Sequence, residues 1–246
     1  MELRVIVDSP ASGAWNMAVD EALLTSPDFV GLTLRFYSWQ EPTLSLGYFQ
    51  SLADREQHAA SAACPIVRRA SGGGAILHDV ELTYSIVAPV AQRWGAAAHD
   101  LYLVAHRSLC AVLDNWGIQA SLFQPPENAP AKAEEPFLCF ERRSTGDVVL
   151  QGAKICGSAQ RRHLSRVLQH GSVLLGRSAA APELPGIAEL AGRPLSITDF
   201  RGAWIAQLAQ ALQCQAVASE LQSVEVARAQ EILQGKFGHP KWTAKR

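Results

Sequence analysis

Nowhere in its 246 residues does the chain carry the run of roughly 18 apolar residues that crosses a bilayer as a helix. Its opening stretch, MELRVIVDSP, alternates like a strand and lacks the cleavage region of a secretory signal. These absences set the expectation of a cytoplasmic protein that does not engage a membrane. Excess charge of either sign is also missing, with 22 Lys and Arg against 23 Asp and Glu. A phosphate backbone demands a marked local excess of cations, so no nucleic acid partner is expected. The one basic stretch, Gln160-Arg161-Arg162-His163 followed by Arg166, is either a face for an acidic partner or a solvated surface. Cysteine is scarce: five residues, an odd number at wide and unrelated intervals, fit neither a disulfide framework nor a zinc site. Cys64, Cys110 and Cys214 lie in apolar or helical stretches, where a free thiol packs as a small hydrophobe. Cys139 and Cys156 are left to be weighed.

What is present is a soluble composition patterned into short strands and a few helices. Strand-like runs are read at 3–7, 33–39, 44–48, 66–69, 75–78 and 82–87, and again at 137–141, 147–150, 154–159 and 167–175. Helical patterns are read at 14–24 after a Ser12 cap, at 100–116 before Gly117, and at 198–212 and 220–233. The Pro-, Ala- and Glu-rich stretch between Gln124 and Pro136 can be neither a central strand nor a stable helix, and reads as an exposed loop. Without regular βαβ alternation the order points to the α+β class, with a mixed, largely antiparallel sheet flanked by helices. Neither side of the loop holds an obviously complete core, so one domain over 1–246 is expected.

Two stretches carry chemistry. In Arg68-Arg69-Ala70-Ser71-Gly72-Gly73-Gly74-Ala75-Ile76-Leu77-His78-Asp79, three glycines remove every Cβ, so backbone N–H groups can approach a carbonyl, carboxylate or phosphate. The paired arginines add fixed cationic donors suited to a polarised acyl group or an acyl-adenylate. The pattern is neither a dinucleotide fingerprint nor a P-loop. In Gln151-Gly152-Ala153-Lys154-Ile155-Cys156-Gly157-Ser158-Ala159-Gln160, strand alternation puts Lys154, Cys156 and Ser158 on one face, where the lysine has little to obstruct it.

Together these segments resemble the biotin/lipoate protein ligase superfamily: Arg68 to Asp79 is similar to its RRxSGGGAxxHD signature and Gly152 to Gln160 to its GxKIxGSAQ signature. The resemblance extends to Asn16-Met17-Ala18-Val19-Asp20-Glu21-Ala22-Leu23-Leu24, to Pro42 through Gly47 with Gln50, and to Gln169-His170-Gly171-Ser172. It implies that superfamily's catalytic-domain fold, a mixed sheet flanked by helices with an acyl tunnel closed by the glycine-rich loop. It also implies Arg69, Ser71, Gly72, Gly73, Gly74, His78, Gly157, Ser158 and Ala159 as substrate-binding residues, with Asp79 structural.

Members of the superfamily follow two chemistries. Lipoate-protein ligases activate a free carboxylate with ATP and Mg; octanoyltransferases take an octanoyl thioester from acyl carrier protein through an enzyme cysteine. Only the second route needs a nucleophilic thiol, since thioester exchange is nearly isoenergetic. Pro136-Phe137-Leu138-Cys139-Phe140 resembles the cysteine-dependent transferases, and the accessory domain that many bacterial ligases add is not expected after Leu233, which favours the transferase without deciding it. The resemblance therefore implies Cys139 as the acyl-carrying nucleophile with Lys154 on a neighbouring strand assisting it, no metal and no cofactor. The acceptor is expected to be a lysine of a lipoyl-carrier protein, such as the glycine-cleavage H protein or a dehydrogenase lipoyl domain. Cys156 remains the competing thiol. An ATP-dependent ligase and a non-catalytic acyl-binding protein on the same fold are the alternatives.

Overall fold

The computed structural model describes residues 1–26, 31–90, 98–126 and 135–246. Among them run eleven strands: β1 (Glu2–Val7), β2 (Leu32–Tyr37), β3 (Thr43–Leu46), β4 (Ile66–Arg68), β5 (Ile76–His78), β6 (Glu81–Pro89), β7 (Ala120–Leu122), β8 (Val148–Leu150), β9 (Ala153–His163), β10 (Arg166–Leu174) and β11 (Gln215–Ser219). Six helices accompany them: α1 (Gly13–Thr25), α2 (Ala98–Asn115), α3 (Ile187–Ala191), α4 (Ile197–Leu212), α5 (Ser223–Ile232) and α6 (Pro240–Thr243). Eight strands form one sheet in the order β11-β1-β2-β6-β10-β9-β8-β7, and β4-β3-β5 form a second. Pairing is parallel across β11-β1-β2 and antiparallel from β2 to β7. This is the expected α+β class with a mixed, largely antiparallel sheet.

Period-two alternation divides the large sheet between two cores. On β6, Leu82, Tyr84, Ile86 and Ala88 join the cluster built on α2 and α4, around Leu109, Phe200 and Trp204. Val87 instead packs with Met17, Val19 and Leu23 of α1 and Ala229 of α5. Helices thus cover both faces. At the start of α1 the Ser12 hydroxyl accepts the Trp15 amide at 3.3 Å, an N-cap worth about 1 kcal/mol. One turn apart on that helix, Asn16 and Asp20 reach the fully buried Arg35 of β2, at 3.0 and 2.8 Å, and Asp8 adds a second carboxylate at 2.6 Å. Removing one member of such a buried set costs about 3–5 kcal/mol, because the remaining charge is left unpaired.

Several sequence expectations shift. Residues 137–141, read as a strand, make only an isolated bridge from Leu138 to Ala75, after which Cys139–Glu141 wind into one 3₁₀ turn. Hydrogen bonds from Ala75 N to Phe137 O (3.0 Å) and from Cys139 N to Ala75 O (2.7 Å) fix that turn against the glycine-rich segment. Cys139 and Lys154 are therefore not on neighbouring strands. The edge strand β11 went unread; its alternation is weak because almost every residue is exposed. The expected 124–136 loop falls mostly on 127–134, outside the described residues. No helix among the described residues is long and apolar enough to cross a membrane.

Candidate active site

The 3₁₀ turn brings Cys139 to the side of β9 from which Lys154 projects. Lys154 Nζ lies 3.6 Å from Cys139 Sγ and 3.4 Å from its carbonyl oxygen. The ammonium is held there by Asp147, whose Oδ2 is 2.9 Å away. Asp147 is itself fixed: its Oδ1 accepts the Tyr102 hydroxyl at 2.8 Å and its Oδ2 the Ser144 amide at 2.7 Å. Burial pulls the lysine down, but the facing Cys139 and Asp147 charges outweigh it, and the net shift of Lys154 is upward. It stays an ammonium, positive where a thiolate has to form.

Cys139 opens on a cavity that encloses, with its open mouth, about 490 Å³ of unfilled space. Its lining is mainly apolar and includes Met17, Tyr37, Ile76, Phe140, Gly157, Ser158, Ala159 and Gly171. Arg69, Gly72, Gly73, His78 and His170 line it as well. Of the residues the motifs suggested, Ser71 and Gly74 are not in the wall, and Lys154 stands buried behind it. The glycine loop still comes very close, since a Cβ on Gly74 would fall 3.0 Å from the Cys139 amide nitrogen.

Histidines and carboxylates brace this loop from beneath. Ser71 Oγ pairs with His170 Nε2 at 2.5 Å, and His170 Nδ1 donates to Asp20 at 3.2 Å. In parallel, His78 sits between Glu81 (2.6 Å) and Ser45 (2.7 Å), stacked on Trp39 at 3.9 Å. Burial holds the His78 imidazolium below its usual range, although Glu81 opposes it. Ser45 also accepts Arg69 Nη1 at 2.7 Å, while Arg69 Nη2 donates to the Gly72 and Gly74 carbonyls. Burial brings Arg69 down to about 10, so it remains charged. Arg68 is different: it is fully buried and spends its donors on the carbonyls of Gly47, Gln50 and Thr243. The two arginines thus do not act as a pair. Arg161, from the basic stretch, donates to the Ala70 carbonyl at 2.7 Å and also braces the loop. Asp79 accepts the Ser178 hydroxyl at 2.7 Å.

The competing thiol is enclosed. Cys156 is fully buried in the α2 core, its Sγ 3.8 Å from His106 Nε2, and burial together with Asp147 pushes its thiol well above the usual range. Ser158 shares that side: its hydroxyl is committed to His106 (2.6 Å) and receives Tyr84 (2.5 Å). His106 Nδ1 donates to the Gly146 carbonyl at 2.7 Å. Lys154, Cys156 and Ser158 do point toward groups carried or held by α2, but only the lysine faces Cys139. A bulge contributes to the difference, since Ile155 is an extra residue opposite the Val148–Val149 step.

A nucleophile-sized thiol, a buried ammonium and a glycine-rich loop over an apolar cavity agree with what a domain model finds in the sequence. Residues 12–181 match the lipoyl protein ligase A/B catalytic domain. The chain belongs to that family. A curated relative, the octanoyltransferase LipM of Brevibacillus brevis, is 33% identical, with 99% of both chains covered. Among solved structures, a putative lipoate protein ligase from T. acidophilum superposes with a TM-score of 0.82 at 20% identity, covering 100% of both chains. A bipartite lipoate protein ligase from Thermoplasma acidophilum, described together with its E2 lipoyl domain, gives 0.78 at 20% identity, over 99% of this chain and 96% of that one. At such identity these structures speak for the fold alone. Acyl transfer, the activity expected from the motifs, agrees with the octanoyltransferase relative and the family.

Sequence reasoning missed Asp147, Tyr102 and His106. Asp147 sits in Thr145-Gly146-Asp147 ahead of β8 and carries no spacing signal linking it to Lys154; the two helix residues look like ordinary positions of an amphipathic stripe.

Proposed function

We propose that this chain is a protein octanoyltransferase that receives an octanoyl group from the thioester of acyl carrier protein on Cys139. It then passes the group to a lysine of a lipoyl-carrier protein. The observation that carries this reading is the 3.6 Å approach of Lys154 Nζ to Cys139 Sγ beside the apolar cavity. The octanoyltransferase relative supports the acyl group, and the lipoyl domain described with the archaeal ligase supports the type of acceptor.

The cycle balances without a cofactor. The Cys139 thiolate attacks the donor's carbonyl carbon and forms a new C–S bond. The donor C–S bond then breaks, and the departing thiolate takes a proton from the Lys154 ammonium. In the second half a neutral acceptor amine attacks the acyl-enzyme and forms a C–N bond. Its proton goes to Lys154, and Cys139 leaves as thiolate. Negative charge develops on the carbonyl oxygen in both halves. Gly72, Gly73 and the Arg69 cation line the cavity where that charge has to be met. Gly157 and Ser158 lie within β9, and the Ser158 hydroxyl is engaged elsewhere, so no side-chain donor for that charge comes from this pair.

Intact mass after mixing with octanoyl-acyl carrier protein tests the reading. A hydroxylamine-labile octanoyl adduct is expected that persists in Cys156→Ser and vanishes in Cys139→Ser. Turnover that requires ATP and free octanoate, with no adduct from the carrier protein, would overturn it in favour of a ligase.

A further inference from the structure

A second cleft adjoins the acyl cavity, and Gly73 lines both. It is larger, about 750 Å³ of unfilled space, and polar, with Gln50, Gln57, Asp54 and Arg142 in its wall and Phe49 at its lip. Its carboxylates are already engaged: Asp54 accepts the Ser51 amide at 2.9 Å and the Gln57 side chain at 3.4 Å, and Glu135 is paired with Arg142. Phe49 is 71% exposed, an unusual position for a large aromatic, and lies within van der Waals reach of the space above Gly72.

Cations border this lip. The Arg246 guanidinium is 5.3 Å from the Phe49 ring centroid, and Lys245 Nζ is 2.5 Å from the Tyr48 hydroxyl and 4.2 Å from its ring centroid. Their placement is built in. Buried Arg68 binds the Gln50 carbonyl (2.6 Å) and the Thr243 carbonyl (2.7 Å) together, and Leu52 N donates to Arg246 O at 2.8 Å. A thioester whose acyl tail enters the apolar cavity must send its thiol arm out another way. We infer that this polar cleft receives the phosphopantetheine arm of the acyl donor, with Phe49 and Gln57 along its amide-bearing part and Lys245 and Arg246 at its phosphate. The inference rests on the thioester-donor reading above and adds the subsite.

Three octanoyl donors test it by intact-mass kinetics of single-turnover acylation: octanoyl-phosphopantetheine, octanoyl-pantetheine and octanoyl-N-acetylcysteamine, which lacks most of the arm. The Lys245→Ala, Arg246→Ala double variant is expected to slow acylation about tenfold with the phosphorylated donor alone, as loss of a charge-assisted contact predicts. Phe49→Ala with Gln57→Ala is expected to slow both pantetheine donors and leave the short thioester at the wild-type rate. A parallel loss with all three donors would show that these residues only support Cys139, and no loss with any would show an unused cleft; either overturns the inference. Slower discharge of octanoyl-enzyme to the acceptor, with donor rates intact, would assign the cleft to the acceptor and overturn it too. If octanoyl-acyl carrier protein acylates wild-type protein but none of the three small donors does, the cleft inference is overturned while the thioester reading stands; if the carrier-bound donor fails as well, both fall.

Discussion

Gly157 leaves open the space in which the Lys154 side chain lies: a Cβ there would stand 2.4 Å from Lys154 Cε and 2.6 Å from Nζ. The glycine in the lysine motif is thus a steric requirement of the ammonium's approach to Cys139. Gly157→Ala should push the amine out of its position, because backbone on β9 cannot retreat while paired with β10. A positioned proton donor is worth about 10²–10⁴ in rate. Acylation should therefore fall at least about tenfold, with the far-ultraviolet spectrum unchanged. Wild-type acylation in this variant would show that Lys154 does not act from where it lies.

The two thiols should separate in the native protein. Cys139 is half-buried beside the cavity, whereas Cys156 is fully enclosed and its thiol is pushed well up by burial. Alkylation needs a thiolate that the reagent can reach. Iodoacetamide followed by peptide mapping should mark Cys139 and spare Cys156 until denaturant is added. Cys156→Ser should retain acylation within about threefold, since a thiol-to-hydroxyl change in an enclosed site chiefly affects packing and hydrogen bonding. Labelling of Cys156 first would reverse the assignment.

This contrast shows where sequence stops. Alternation placed Lys154, Cys156 and Ser158 on one side of β9, and the motifs placed the glycine loop near them, because both depend on local geometry. Choosing between the thiols depended on the depth of the α2 core and on a bulge at Ile155, neither of which leaves a periodic trace. Cys139 was suspected from its neighbours, but its strand was misread: Leu138 and Phe140 alternate like a strand, while the Ala75 carbonyl captures the Cys139 amide and turns the chain into a 3₁₀ turn. The reading of Arg68 and Arg69 as a donor pair failed for a similar reason. The charge of Arg68 suggested a ligand, and only tertiary contact reveals that carbonyls of two distant segments use it. The longer helices on both sheet faces were legible, α1 from its helix-forming composition behind the Ser12 cap and α2 from its apolar stripe before Gly117; the exposed edge strand β11 was not.

Asp147 should set the alkaline limit of activity. Its carboxylate offsets the burial that would otherwise lower Lys154. Cys139 and Asp147 together oppose that burial, and Asp147→Asn removes one of the two, so the lysine loses its proton at lower pH than in wild type. The high-pH limb of kcat/KM for octanoyl transfer should move toward neutrality, and the plateau rate should fall about tenfold as the amine loses its anchor. An unchanged limb with a lower plateau would mean that Asp147 holds structure without holding the charge.

His106 should make the protein acid-sensitive. Buried between Gly146 and Ser158, it is held down to about 4 by desolvation, against 6.5 in a solvated chain. Between these values the unfolded chain binds a proton at this site that the folded chain refuses, so stability falls as pH drops from about 6.5 toward 4. Full protonation would cost about 3 kcal/mol. His106→Gln keeps one donor for Gly146 and one acceptor for Ser158 but cannot take up the proton. Urea midpoints measured from pH 7 to 4 should decline more steeply in wild type than in this variant. Other acidic groups contribute equally to both proteins, so the difference between the slopes isolates the histidine. Parallel slopes would mean that His106 is protonated in the folded state near its ordinary range, and that its bond to the Ser158 hydroxyl runs in the opposite direction.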